Sequence, residues 1–279
     1  MGEIFSKRKF WFHKFEFLYY RILKHFFALK NPTDFFIRKY CSRKTCTNKY
    51  FENSFEFIPT NDIGKKLFFE GVFEFNEISV CKSLIKENDV ILDVGGNIGF
   101  HSIHFAHYAS KGKVYSFEPS PETFELLSRN CKPYANIQPI NIGIGKSEGV
   151  AKFHYASDHS YSGFKDTGKK EIINSEELPI MSLDAWTKKQ ELNLVDFVKI
   201  DVEGFEDQVL KGMSEVISAY KPIILIEISP TKNQTANPHE IFNSLLNYGY
   251  DAFYIQNNRL IQTEHHSNTH HNYFFQPSK

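Results

Sequence analysis

The stretch Val90–Phe100, VILDVGGNIGF, decides the fold. Its first five residues read as a buried strand carrying one acid, and the glycines that follow read as a tight turn feeding a helix. Such a turn lets a ligand approach the backbone closely, and the spacing says which kinds of ligand are excluded. A dinucleotide fingerprint needs glycines at positions one, three and six. Counted from Gly95, those positions hold Gly95, Asn97 and Phe100, so the match fails. A phosphate-cradling P-loop needs a lysine next to a Ser or Thr after its second glycine, and the run to Ser102 has none. Asp93, two residues before Gly95, would repel a pyrophosphate and suits a ligand with a cationic amine.

Outward from this turn the chain alternates strand and helix. Lys113–Phe117 reads as a second strand ending in Glu118, Pro121–Cys131 as a helix, and Ile137–Ile142 as a third strand. The alternation pauses at two short strands, Val150–Tyr155 and Leu178–Met181, which flank a polar loop over 156–177. It resumes with strand Val195–Ile200, ending in Asp201, and a helix over 206–219. Strand Ile223–Ile228, helix Pro238–Tyr248 and strands Asp251–Ile255 and Asn272–Gln276 complete it. Continuous apolar strands alternating with helices imply a mostly parallel α/β sheet with helices on both faces. Ligands of such sheets bind at the carboxyl ends of the strands, where Asp93, Glu118, Asn141 and Asp201 fall.

Bulk properties narrow the class. The net charge is zero, which argues against a nucleic-acid partner. Residues 1–50 nevertheless carry 12 Lys/Arg against 3 Asp/Glu, leaving 21 against 30 in the remainder, so a basic arm precedes an acidic body. Cys41, Cys46, Cys81 and Cys131 show no zinc or C-x-x-C spacing and read as unpaired thiols of a reducing, cytoplasmic compartment. No signal peptide and no membrane span are expected. Residues 1–30 read as an aromatic-rich amphipathic helix, with Trp11, Phe15, Leu18, Ile22, Phe26 and Leu29 on one face. Two readings stay open for it: packing on the domain or on a second copy in a homodimer, and peripheral contact with an anionic membrane inner face through Lys7, Arg8, Lys9, Lys14 and Arg21. The bare myristoylation pattern of Gly2 to Ser6 adds little, because it recurs by chance. A polar connector then runs to Pro59, giving an extension over 1–60 and one domain over 61–279.

A second constellation, Phe197–Glu206, FVKIDVEGFE, places Asp201, Glu203 and Glu206 within six residues at a strand end. Crowded carboxylates raise one another's energy unless cations, donors or solvent compensate. DVGGNIG, FEPSPETFELLSRN, LDAW and VKIDVEGFE, with IGIG after the third strand and NYFFQP near the end, closely resemble the FkbM-type methyltransferases over residues 70–277. The resemblance implies a class I, Rossmann-like seven-stranded fold and methyl transfer from S-adenosylmethionine, usually to a hydroxyl of a sugar, glycan, glycolipid or natural product. Carried over by position, Asp93, Gly95, Gly96, Asn97 and Gly99 would line the methionine end of the donor. Glu118 would take the ribose, and Asn141 and Ile142 would lie near the adenine. Asp201 and Glu203 would face the methyl group and the acceptor, with Asp201 the first candidate base, Glu203 the second and His159 the third. Glu74 and Glu77 would cover the donor from the other side.

Other readings are weaker. Tyr161 and Lys165 have the spacing of a dehydrogenase pair, but their Gly/Ser-rich surroundings do not make the helix that pair needs. His101, His104 and His107 read as a mixed packing and surface stripe, and His265, His266, His270 and His271 as a solvated turn. No independent metal signature is present. A non-catalytic protein that keeps the cofactor fold, or transfer to nitrogen, are the alternatives.

Overall fold

A computed structural model describes residues 45–230 and 237–278. The chain divides into two compact units, 1–74 and 75–279. The amphipathic arm at residues 1–30 lies outside the described residues. Among those described, no helix is long and apolar enough to cross a membrane.

In the first unit, strands β1 (Cys46–Tyr50) and β2 (Asn53–Phe57) form an antiparallel hairpin, followed by helix α1 (Asp62–Phe69). This corrects the expectation of a polar connector there. The hairpin turn is Phe51-Glu52, both with positive φ (48° and 69°), a conformation usually given to Asn or Gly. Asn48 Nδ2 donates to the Leu67 carbonyl (2.8 Å) and the Tyr50 hydroxyl to the Gly71 carbonyl (2.6 Å), tying the hairpin to α1. Cys46 is disulfide-bonded, which corrects its reading as an unpaired thiol, whereas Cys81 and Cys131 are buried and form no disulfide.

The second unit opens with helix α2 (Phe75–Leu84) and strand β3 (Val90–Val94). Helix α3 (Phe100–Tyr108), strand β4 (Lys113–Phe117), helix α4 (Pro121–Cys131) and strand β5 (Ile137–Ile140) follow. A small sheet of β6 (Gly143–Ile144), β7 (Gly149–Ala156) and β8 (Ile172–Met181) comes next, then helix α5 (Leu183–Lys189). Strand β9 (Phe197–Ile200), helices α6 (Glu206–Lys211) and α7 (Ser214–Tyr220), and strand β10 (Ile223–Glu227) continue the alternation. Helix α8 (Pro238–Asn247) and strands β11 (Tyr250–Gln256), β12 (Arg259–Thr263) and β13 (Asn272–Pro277) end it.

The main sheet has the order β12-β11-β13-β10-β9-β3-β4-β5. Strands β10, β9, β3, β4 and β5 run parallel, while β13 is inserted antiparallel between β10 and β11. The seven expected strands are present, and β12 is an eighth, a hairpin partner of β11 made by the Asn257-Asn258 turn with φ of 52° and 58°. The strand order reverses about β3, so the crevice between the ends of β3 and β9 is where such sheets bind ligands.

Two local departures have clear causes. The single helix expected over 206–219 breaks at Gly212-Met213, where the Gly212 carbonyl accepts the Asp184 N–H (2.9 Å) and the Gly145 carbonyl oxygen approaches so closely that a Cβ at 212 would lie 2.0 Å from it. The Asp184 carboxylate then caps α7, accepting the Glu215 and Val216 N–H groups (3.1 and 2.9 Å). The loop expected over 156–177 is shorter than supposed, since β8 already begins at Ile172. The core gathers Leu92, Val94, Val198, Ile200, Ile224 and Ile226 of the sheet with Trp186, Val209, Val216, Phe242 and Leu245 of the helices. Trp186 packs edge-on against Tyr115 and Phe117 (4.8 Å each).

Candidate active site

The turn after β3 is built by the backbone. Gly95 has φ +83° and Gly99 +89°, in the region where a side chain is disfavoured, and Asn97 joins them at +48°. A Cβ on Gly95 would stand 1.8 Å from the Asp201 carbonyl oxygen, so no side chain fits there. The Gly95 and Gly96 N–H groups donate to the Phe117 carbonyl (3.0 and 2.8 Å), which folds the turn over the end of β4. The turn after β3 and the turn after β9 are thus in direct contact.

Asp93 is fully buried, beside Ser116 of β4 and Lys199 of β9 in the sheet register. The Ser102 hydroxyl, on α3, donates to its Oδ2 (2.6 Å) and lies 2.8 Å from the Ser116 hydroxyl. Asp93 Oδ1 has no hydrogen-bond partner among the described residues. Lys199 Nζ lies 3.8 Å from it and 3.2 Å from Asp201 Oδ2.

Glu118 is buried at the end of β4. Asn97 N–H (3.1 Å) and Ser120 N–H (3.0 Å) donate to its two carboxylate oxygens. Burial outweighs these donors and pushes the carboxyl up to about 7. Asn141 is exposed, and its amide braces the carbonyls of Glu118 and Pro119 (2.9 and 3.0 Å). Ile142 is half-buried against the core.

On the other side of the crevice, Asp201, Glu203 and Glu227 each bring one carboxylate oxygen to within 4.8 Å of the others, a grouping of the kind that could hold a cation. The Lys169 ammonium reaches it from the 157–171 loop, 2.8 Å from Glu203 and 3.7 Å from Glu227. Burial, and then the charges of Asp201 and Glu227, push Glu203 up to about 8. Burial acts the same way on Asp201, but the charge and hydrogen bond of Lys199 prevail and hold it below the usual carboxylate range. Glu206 is buried, pushed up to about 7, and accepts the Gly204 N–H (3.0 Å), so it closes the turn before α6.

The 157–171 loop folds onto this turn. His154 and Gly163 exchange backbone hydrogen bonds (2.8 and 3.1 Å), and Phe164 packs between Phe153 and Phe205 (5.2 and 5.3 Å). His159 sits on a single 3-10 turn, His159–Tyr161, capped by Asp158, whose side chain accepts the Ser160 N–H. Glu77, in the first turn of α2, accepts from Asn272 Nδ2 (3.1 Å), and Glu74 belongs to the first unit.

The structure therefore brings Asp93, the glycines, Asn97, Glu118, Asp201 and Glu203 together, with Asn141 behind Glu118. The sequence reading missed Lys199 and Glu227 as members of the site, although a lysine inside an apolar strand and an acid at the end of β10 were visible signals. His101 is buried, and burial and the Lys199 charge lower its pKa to about 4 against the opposing pull of Asp93, Asp201 and Glu77. His266 is likewise buried, 3.3 Å from the Ile228 carbonyl, and His270 stacks on Tyr254, so the late histidine group is not a solvated turn throughout.

The antiparallel β13 beside a parallel sheet centred on β3, with a glycine turn and acids at the strand ends, defines the class I methyltransferase fold. The Methyltransferase FkbM domain family matches residues 93–252, more than half of the chain, and the chain belongs to that family. S-Adenosylmethionine is accordingly its expected cofactor. The chain is 32% identical over 144 residues to the hexuronic acid methyltransferase AglP of Haloferax volcanii, covering 51% of this chain and 57% of that protein. It is 25% identical over 153 residues to the 2-O-methyltransferase NoeI of Sinorhizobium fredii, covering 50% of this chain and 63% of that protein. The match thus spans about three-fifths of the length of each of these relatives. A crystal structure of methyltransferase FkbM from Methylobacillus flagellatus is similar at 16% identity and a TM-score of 0.48, over 75% of this chain and 46% of that one.

Proposed function

We propose that this protein transfers a methyl group from S-adenosylmethionine to a hydroxyl of a sugar, glycan, glycolipid or natural product. The observation that carries the reading is the abutment of the two turns: the Asp201 backbone carbonyl fills the space a Gly95 side chain would need, so the residue bearing the candidate base leaves its strand against the glycine turn. The printed activities of AglP and NoeI, on a hexuronic acid and at a 2-O position, support a sugar hydroxyl.

The residues present fit the donor. Asp93 Oδ1 is a buried acceptor awaiting a donor, and the Gly95–Gly99 turn presents backbone with no side chain in the way. In this reading Asp93, Gly95, Gly96, Asn97 and Gly99 hold the methionine end, Glu118 the ribose hydroxyls, and Asn141 and Ile142 border the adenine. The donor supplies an electrophilic methyl on a sulfonium. The protein's part is to bring a hydroxyl into line at about 3 Å and to take its proton. Asp201, kept ionised by Lys199, is the first candidate to accept that proton. Glu203, its carboxyl pushed up to about 8, is the second, and in this reading the 157–171 loop, whose Lys169 pairs with Glu203, chooses the acceptor.

Glu118 tests the donor half of this reading. Charged hydrogen bonds contribute roughly 1.5–3 kcal/mol each, so Glu118→Ala is expected to weaken S-adenosylmethionine binding by at least about tenfold in calorimetry. The ionised carboxyl is the better acceptor and titrates near 7 in the ligand-free protein, so wild-type affinity should rise between pH 6 and 8 with proton release. Glu118→Gln should flatten that rise. An unchanged affinity in Glu118→Ala would remove the ribose role.

A further inference from the structure

Strand β9 reads Phe197-Val198-Lys199-Ile200, all four buried, and Lys199 is only 4% exposed. An ammonium in such a place must be paired, because its desolvation costs several kcal/mol. The sheet gives it two carboxylates. Asp93 is its register partner on β3, and Asp201 follows two residues later on the same face. The sharing is unequal: 3.2 Å to Asp201 Oδ2 is a hydrogen bond, whereas 3.8 Å to Asp93 Oδ1 is not. Asp93 Oδ1 is left as a buried acceptor with no hydrogen-bond donor among the described residues, two residues before the glycine turn, while its Oδ2 is held by Ser102. Other titratable groups act on this pair: His101 from α3, influenced by Glu77 of α2, Glu227 from β10, which hydrogen-bonds Asp201, Glu118 and Cys131 on the side of Asp93, and Glu203, Glu206 and Lys169 around Asp201.

We propose that Lys199 is a positioning residue that divides charge between the donor and acceptor sides of the site. It hydrogen-bonds Asp201, holding that carboxylate in place toward the acceptor, and leaves Asp93 Oδ1 for the cationic donor. This rests on the donor reading above. Its charge has a second effect. Without Lys199, Asp93 and Asp201 would present uncompensated negative charge beside the sulfonium and bind the charged donor more tightly than the neutral product. That extra binding would act on the ground state, because the sulfonium loses its charge as the methyl leaves. In the balanced step the carbon–sulfur bond breaks with its electron pair going to sulfur. The acceptor oxygen forms the new carbon–oxygen bond, and its proton passes to the Asp201 carboxylate. Lys199 touches no reacting atom.

Donor and product differ by one methyl and one positive charge, so their relative affinity reads the local potential without any acceptor. Calorimetry with S-adenosylmethionine and S-adenosylhomocysteine gives the ratio of the product's Kd to the donor's for each variant. Lys199→Met is expected to raise this ratio about three- to tenfold, and Lys199→Arg to leave it within about twofold of wild type. Asp201→Asn should lower it about threefold. The double variant should return toward wild type, because the two groups act as a pair. A purely structural lysine would weaken both ligands equally and leave the ratio unmoved, which would overturn the proposal. Should Lys199→Met fail to fold, a ratio in Asp201→Asn that is unchanged or raised overturns it as well. If wild-type protein binds neither ligand, the donor reading itself fails; if it binds both and only the ratios refuse to move, the role of Lys199 alone fails.

Discussion

Replacing Asp201 by asparagine is expected to lower turnover by about 10²–10⁴-fold, the usual contribution of a positioned general base. Asparagine keeps the shape of the side chain and removes the proton acceptor. It also removes the nearer of the two carboxylates beside Lys199, yet Asp93 remains 3.8 Å from the ammonium and the Asp201 side chain is partly exposed, so the protein should still fold. Donor affinity should change only by the few-fold that one neighbouring charge commands. The expected pattern is therefore a large fall in kcat beside a nearly intact donor Kd, measured by single-turnover methyl transfer and calorimetry on the same sample. Wild-type turnover in this variant would remove Asp201 as the base and move attention to Glu203, whose carboxyl titrates near 8.

The second large effect is structural in origin and functional in outcome. Gly95→Val places a branched Cβ at φ +83° and 1.8 Å from the Asp201 carbonyl oxygen, so one of the two turns has to move. Strained backbone of this kind costs on the order of 1–3 kcal/mol, and a buried clash adds a similar amount. The variant is expected to lose donor binding by more than about a hundredfold, since both the methionine-end turn and Asp201 are displaced together. A modest loss of thermal stability with donor affinity retained would show that the turn can shift without the ligand noticing, contrary to the geometry described.

Much of this arrangement was legible in the sequence because each relevant element announces itself locally. Val90–Val94, Lys113–Phe117 and Pro121–Cys131 are found where the apolar runs and the proline at a first helical turn put them. The glycine turn was legible because only glycine takes φ near +85° without strain. What was hidden depends on contacts distant in sequence. The β1–β2 hairpin turns on Phe51-Glu52, residues that carry no turn signal, and β12 is attached by Asn257-Asn258, whose meaning appears only with both flanking strands. The break between α6 and α7 goes with hydrogen bonds to Asp184, some 30 residues upstream. In the site, the acids were visible one by one, but their grouping at the strand ends depends on which strands lie side by side. Lys199 acquires its role from β3, a hundred residues earlier, and Glu227 from the parallel pairing of β10 with β9.

The most direct test of the whole account is incubation of the full chain with S-adenosylmethionine carrying a labelled methyl group and a panel of neutral and acidic methyl glycosides, lipid-linked glycans and amino sugars. The expected result is label in a sugar product as an ether that survives mild alkali, absent from the Asp201→Asn reaction. Label in a base-labile ester or on nitrogen, or transfer that proceeds equally well without the Asp201 carboxylate, would contradict it.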